Sequence, residues 1–370
     1  MNFNFYLPTR FLSGFGVLKS HPEHLAIGAS AFIVTGKNGA RKCGALDDVI
    51  SVLSERGVKY THFDSVTENP PLLMCADGGQ QCRTAGADFV IAIGGGSVMD
   101  AAKAISAFAT NPDIAPEQLF EIDLLKPSLP IICIPTTAGT GSEANPYAIM
   151  TLQDGKRKKT FNAPFSYPKT AFLDPAYTRS LSRDYTISTA LDAFAHALES
   201  FLSPKSNVFS EQQALFAAKE IWNVLSQYPE RFDDEMRESL LYAATAAGIA
   251  ISITGTGFPH PLGYSITLLD GIPHGAACAL FDGDFIEYNE RSEAGKAKME
   301  RFYAALDVKP KVLKEYLPAL SGVDLTFTEE EIKERIELVQ GAKNYANSPY
   351  VISVEEMYEI YRKHFKKSSK

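Results

Sequence analysis

Along the first half of the chain, short apolar runs alternate with longer stretches in which apolar positions return every three or four residues. "AFIVTG" (Ala31–Gly36), "KYTHFD" (Lys59–Asp64) and "FVIAIGGGS" (Phe89–Ser97) predict strands. So do "LPIICIPTTAGTGSE" (Leu129–Glu143), which runs on into a loop, and "TAFLDP" (Thr170–Pro175). Between them, "GALDDVISVLSERG" (Gly44–Gly57), Leu72–Ala85 and "VMDAAKAISAFA" (Val98–Ala109) predict helices. Strands apolar at every position, rather than at every second one, are covered on both faces. The pattern therefore predicts a parallel sheet between two layers of helices. "YAIMTLQDGKRKKTFN" predicts a hairpin that turns at Asp154-Gly155.

After Asp174 the texture changes. "YTRSLSRDYTIST" is polar and turn-like, with Ser188 as the expected N-cap of the helix that follows. From there the patterns are mostly helical, including "SEQQALFAAKEIWNVLSQY" and "EEEIKERIELVQGA". A chain of 370 residues accommodates two domains. We read an α/β nucleotide-binding domain with a parallel sheet over residues 1–183 and an all-helical domain over 184–370, divided near Leu181–Ser188.

Composition is that of a soluble globular protein, with 45% hydrophobic and 22% charged residues, so a large core needs no disulfide or zinc staple. A net charge of −8 argues against nucleic acid or an anionic membrane as partner. The basic runs are "GKRKK" (Gly155–Lys159) and the tail "KHFKKSSK", which is expected to fray. Five scattered cysteines without a CxxC pair suit reduced thiols in a cytoplasm. The start "MNFNFYLPTRFLSG" does not read as a signal peptide, and no apolar run reaches the length of a membrane span.

Two glycine-bearing stretches follow predicted strands. "IGGGSVMDAAK" puts Gly94, Gly95, Gly96 and Ser97 between a buried strand and a helix. Bare backbone there can approach a ligand closely, and a helix N-terminus offers N–H groups to an anion such as pyrophosphate. A tight turn is the plainer reading, and neither GxGxxG nor a Walker A loop is present. Asp100 and Lys103 follow on a helix face that solvent would equally suit. "PTTAGTGSE" supplies Thr136, Thr137 and Thr140 around further glycines. By itself it reads as a polar loop; beside the first, at the ends of neighbouring strands, it suggests a shared ligand crevice.

"LDAFAHALE" puts Asp192 and His196 four residues apart, on one face of a helix. Of the seven histidines, His21, His24, His62 and His364 lie in polar or terminal settings. His260 in "GTGFPHPLGY" and His274 in "DGIPHGAA" stand beside prolines and glycines, where side chains can be held outward. Each alone reads as structural. Three histidines and a carboxylate can complete a four-ligand shell of the kind iron(II) or zinc takes.

These four motifs, in this order and spacing, resemble the iron-containing (group III) alcohol dehydrogenases over nearly the whole chain. The resemblance implies the dehydroquinate synthase-like architecture of an α/β domain followed by a helical metal domain. It implies Asp192, His196, His260 and His274 as ligands of Fe²⁺, which Zn²⁺ can replace. It places Gly94–Gly96, Ser97, Asp100, Thr136, Thr137 and Thr140 at cofactor-binding positions. Asn69 in "ENPP" matches a residue approaching the adenosine side, and Lys159 a cofactor-contacting lysine. It also implies a homo-oligomer, a dimer by analogy with relatives.

Two departures stand out. Many relatives have a histidine where this chain has Tyr264, so a proton relay must use Tyr264, water or the cofactor ribose. Many NAD-using relatives carry an aspartate where this chain has Gly36 in "FIVTGKNG". A carboxylate there accepts from the ribose 2′-hydroxyl and repels a 2′-phosphate, so Gly36 favours NADP(H) over NAD(H). The implied activity is reversible hydride transfer between a primary alcohol or diol and a nicotinamide, with the alkoxide bound to Fe²⁺. The small-molecule partner is an alcohol or aldehyde. Alternatives are a glycerol dehydrogenase-like or dehydroquinate synthase-like enzyme on the same fold, or a non-catalytic nucleotide-binding protein with a structural metal.

Overall fold

A computed structural model of the protein describes residues 3–365, so the end of the basic tail lies outside the described residues. The chain divides into two compact units. The first runs up to Ser182 and takes in Arg231–Gly248; the second holds Arg183–Glu230 and the chain from Ile249 onward. The helix Asp234–Thr254 crosses that division, which a single cut in the sequence does not express.

The first unit is built on β1 (Arg10–Ser13), β2 (Ser30–Gly36), β3 (Lys59–Val66), β4 (Phe89–Gly94) and β5 (Ile131–Pro135), with β6 (Tyr147–Thr151), β7 (Lys158–Asn162) and β8 (Thr170–Leu173) following. Six of them form one parallel sheet in the order β1-β8-β5-β4-β2-β3. The other two, β6 and β7, form the expected antiparallel hairpin. Alternation along the central strands feeds two cores. Phe32, Val34, Val90, Ala92, Ile131 and Cys133 pack on one face with the helices Leu72–Thr84 and Gly96–Thr110. Ile33, Ile91, Ile93, Ile132 and Ile134 pack on the other with the helix Ala45–Glu55.

Strand β1 escaped the hydrophobic pattern. It is a four-residue edge strand on β8 with no fully buried residue, so it carries little apolar signature. The order of the strands matters more for function. From β2 the chain steps outward to β3, then returns to the other side of β2 to place β4. The carboxyl ends of β2 and β4, at Gly36 and Gly94, therefore flank a topological switch point, where open α/β sheets bind their ligands.

The second unit is helical. Its central helix, Arg183–Leu202, buries every residue from Thr186 to Leu202 except Thr189. A helix apolar almost all round belongs in a core. It begins at Arg183, so Ser188 is not an N-cap, contrary to the expectation from sequence. Asp184 occupies the first turn, where a negative charge suits the helix dipole. Ser188 lies buried inside, where its Oγ accepts from the Ala276 N–H at 3.2 Å. No single described helix is long and apolar enough to cross a membrane.

Candidate metal centre and cofactor loops

Asp192 and His196 sit one turn apart on the central helix and are almost wholly buried. His260 is the second residue of the helix Pro259–Asp270, whose first position is a proline that gives up no hydrogen bond there. His274 opens the short helix His274–Ala279. Gly275 explains how that helix reaches the central one. A Cβ at this position would lie 1.8 Å from the Ser188 carbonyl oxygen and 2.8 Å from the Asp192 Cβ. Only glycine permits this approach.

The result is convergence. Asp192 Oδ1 lies 4.0 Å from the Nε2 atom of His196 and 3.8 Å from those of His260 and His274. The His196 and His260 rings stack at 4.6 Å, and His260 meets His274 edge-on at 5.3 Å. Separations of 3.8–4.0 Å are too long for hydrogen bonds between these groups. They suit ligand atoms gathered around one ion, and one atom each from Asp192, His260, His274 and Cys278 lies within 4.8 Å of the others. One carboxylate and three imidazoles make a donor set that suits iron(II) or zinc. The residues present fit the metal.

Sequence reasoning missed three neighbours of this set. Glu199 is fully buried, and its carboxylate accepts from His260 Nδ1 at 2.7 Å and from the Gly257 N–H. Burial pushes its carboxyl above the ordinary value, and His260 and the Gly257 N–H oppose that. The signal was present: Asp192, His196 and Glu199 follow the spacing of one helix face. Cys278, one turn after His274, brings its sulfur to 3.7 Å from both ring nitrogens of that histidine. Asp282 is fully buried, and neither of its carboxylate oxygens meets a hydrogen-bond partner. Burial first, then the charges of Glu199 and Asp192, raise its pKa well above the ordinary value. Tyr264 is half-buried, its ring stacked on His274 at 5.7 Å and edge-on to His260 at 6.5 Å.

In the first unit the two loops meet. A Cβ on Gly95 would lie 3.0 Å from Thr137 Oγ1, and one on Gly96 would lie 2.5 Å from Thr140 Cγ2. Bare backbone is what lets the loops touch. The Thr136 N–H donates to the Gly94 carbonyl at 3.0 Å. Helix Gly96–Thr110 starts at the glycines, leaving its first N–H groups for an anion. The Asn69 N–H donates to Ser97 Oγ at 3.3 Å, so Asn69 stands beside this turn, in a left-handed conformation with φ 52°. Lys159 is exposed on β7 with its ammonium over the Phe120 ring.

Asp100 and Lys103 are not a solvated face. Lys103 is fully buried, and its Nζ donates to the Ser142 carbonyl, Ser142 Oγ and the Tyr147 carbonyl at 2.6–2.7 Å. Asp100 accepts from Ser142 Oγ at 2.7 Å and the Ile149 N–H at 3.0 Å. Burial pushes the carboxyl up and the ammonium down, and each charge works to restore the other. Together they fasten the glycine helix to the "TGSE" end of the threonine loop. At the end of β2, Gly36 is half-buried, with Lys37 and Asn38 exposed beside it.

Comparison with known proteins decides the family. Residues 8–175 match the model described as iron-containing alcohol dehydrogenase, and residues 186–321 that of the Fe-containing alcohol dehydrogenase family, C-terminal. The chain belongs to the iron-containing alcohol dehydrogenase family. A crystal structure of an iron-containing alcohol dehydrogenase from Thermotoga maritima superposes with a TM-score of 0.92 at 34% identity, covering 98% of this chain and 99% of that one. The probable NADH-dependent butanol dehydrogenase 2 of Bacillus subtilis is 28% identical, over 87% of this chain and 84% of that protein. The NADPH-dependent aldehyde reductase YqhD of Escherichia coli is 28% identical, over 81% and 79%. The protein is thus an oxidoreductase of the iron-containing alcohol dehydrogenase family with a candidate Asp/His metal site.

Proposed function

We propose that the protein interconverts small primary alcohols and aldehydes with a nicotinamide, using a ferrous ion held by Asp192, His196, His260 and His274. The observation that carries this reading is one carboxylate oxygen with three imidazole Nε2 atoms 3.8–4.0 Å away. When bound, the ion acts as a Lewis acid toward an alcohol or carbonyl oxygen, and the nicotinamide takes or gives the hydride. The chain's own part is to hold, orient and shield. Glu199 accepts a hydrogen bond from His260 Nδ1–H, which leaves the Nε2 lone pair facing the other ligands and fixes the ring. The N–H groups of the glycine turn bind pyrophosphate at the switch point, with Asn69, Thr136, Thr137 and Thr140 around it. Tyr264, stacked on His274, is the side chain we assign to passing on the alcohol proton.

NADP(H) is the preferred cofactor in this proposal. Gly36 presents no carboxylate at the end of β2, and Lys37 offers a cation there. The family leaves the choice open, since one relative is described as NADH-dependent and another as NADPH-dependent. The test is an anaerobic assay with ferrous iron and a panel of aldehydes, comparing kcat/KM for the two reduced cofactors. Higher kcat/KM with NADPH is expected; equal values, or a preference for NADH, overturn the cofactor reading. No turnover with any aldehyde overturns the function. Chelation should abolish turnover while far-ultraviolet circular dichroism is retained; unfolding instead would point to a closed structural site.

A further inference from the structure

We propose that Cys278 is an alternative ligand of the same ion, so that the centre holds two overlapping donor sets. This rests on the metal reading above and adds a residue to it. Asp192, His260 and His274 are common to both sets. One is completed by His196 Nε2 and the other by Cys278 Sγ.

The geometry is specific. One ligand atom each from Asp192, His260, His274 and Cys278 all lie within 4.8 Å of one another. Cys278 is buried, one helical turn beyond His274, so its side chain lies on the same face of that helix. Room for the sulfur comes from the neighbouring helix. A Cβ on Gly263 would lie 3.2 Å from Cys278 Sγ, and glycine keeps that space open. Among the described residues, Cys278 is the cysteine grouped with Asp192, His260 and His274.

A thiolate is a softer donor than imidazole or carboxylate, so the two sets have different tastes. The oxygen and nitrogen set suits iron(II), while the set with sulfur selects for zinc and other thiophilic ions. Moving from one set to the other would form one metal–sulfur bond, break the metal–His196 Nε2 bond and release the thiol proton, with no change of oxidation state. The identity of the metal would thereby decide which donor, His196 Nε2 or Cys278 Sγ, completes the shell.

The test uses cobalt(II) as probe. The full-length protein is stripped of metal and loaded anaerobically with one equivalent of cobalt(II). Absorption is then recorded for wild type, Cys278→Ala and His196→Ala. Visible d–d bands report that the ion is bound, and an intense near-ultraviolet thiolate-to-cobalt band reports sulfur. We expect both signals in wild type and in His196→Ala, and d–d bands alone in Cys278→Ala. The d–d bands without the sulfur band in wild type overturn this proposal and leave the metal centre standing. A sulfur band that survives Cys278→Ala likewise overturns it. Absence of d–d bands in wild type overturns the metal centre and this proposal together.

Discussion

Each unit of the molecule buries a cluster of charged or chargeable side chains, and the two clusters are resolved in opposite ways. Around Lys103 in the first unit, the ammonium has three acceptors, and Asp100 has Ser142 and the Ile149 N–H. That network closes on itself. Around Asp192 in the second unit, the histidine nitrogens approach one carboxylate oxygen and stop short of hydrogen-bonding distance. That set is centred on a point rather than on a bond. Burying polar groups is costly unless something compensates, and the compensation differs. In the first case it is the protein itself. In the second it is the role the proposed ion would fill, with Glu199 and Asp282 packed behind the candidate ligands.

The two clusters should therefore fail differently. Asp192→Asn keeps the shape of the side chain but removes the shared negative ligand. It should lower kcat/KM by about 1,000-fold or more, about 4 kcal/mol, and strip metal from the protein while dinucleotide still binds. Metal content unchanged in that variant would break the comparison. Lys103→Met should do the reverse. Removing one partner of a buried ionic network costs about 3–5 kcal/mol, a fall in Tm of roughly 10 °C. The metal content of the folded protein should stay at its wild-type level, as measured by elemental analysis.

Glu199→Gln probes the layer behind the ligands. Loss of its negative charge at His260 Nδ1 should weaken metal binding by about 10–100-fold in competition with a chromogenic chelator. Thermal stability of the metal-free protein should move much less. A change confined to stability would assign Glu199 to the core alone.

The smallest effect is expected at Asp284, a closed pair in the same unit as the metal site. It is buried and accepts from His364 Nε2 at 2.6 Å and Lys363 Nζ at 2.7 Å. Burial opposes ionisation, yet the hydrogen bonds and charges of these partners hold its carboxyl below the ordinary value. A depressed folded pKa contributes stability above the unfolded value of about 3.9, lost as pH falls through the folded one. Asp284→Asn should therefore cost about 1–2 kcal/mol at neutral pH and flatten the acid limb of stability below about pH 4. An unchanged acid limb would show that this carboxylate titrates as it does unfolded.

The amino-acid sequence determined what lies within one period of the chain. Apolar runs located five of the six strands of the main sheet, and helical spacing placed Asp192 and His196 on one face. The proline and glycine beside His260 and His274 marked where side chains are held out, and the same spacing already contained Glu199. Tertiary structure decided what comes to meet each face, because periodicity gives a direction and no partner. Only packing placed Ser188 inside a helix against Ala276, and buried Lys103 where a solvated residue was equally plausible. It also brought Cys278 and Asp282 to Asp192, far from them in sequence, and joined Arg231–Gly248 to the first unit. A glycine at position 275 is one letter in the chain. Its consequence, a helix set against the Ser188 carbonyl, exists only where two helices cross.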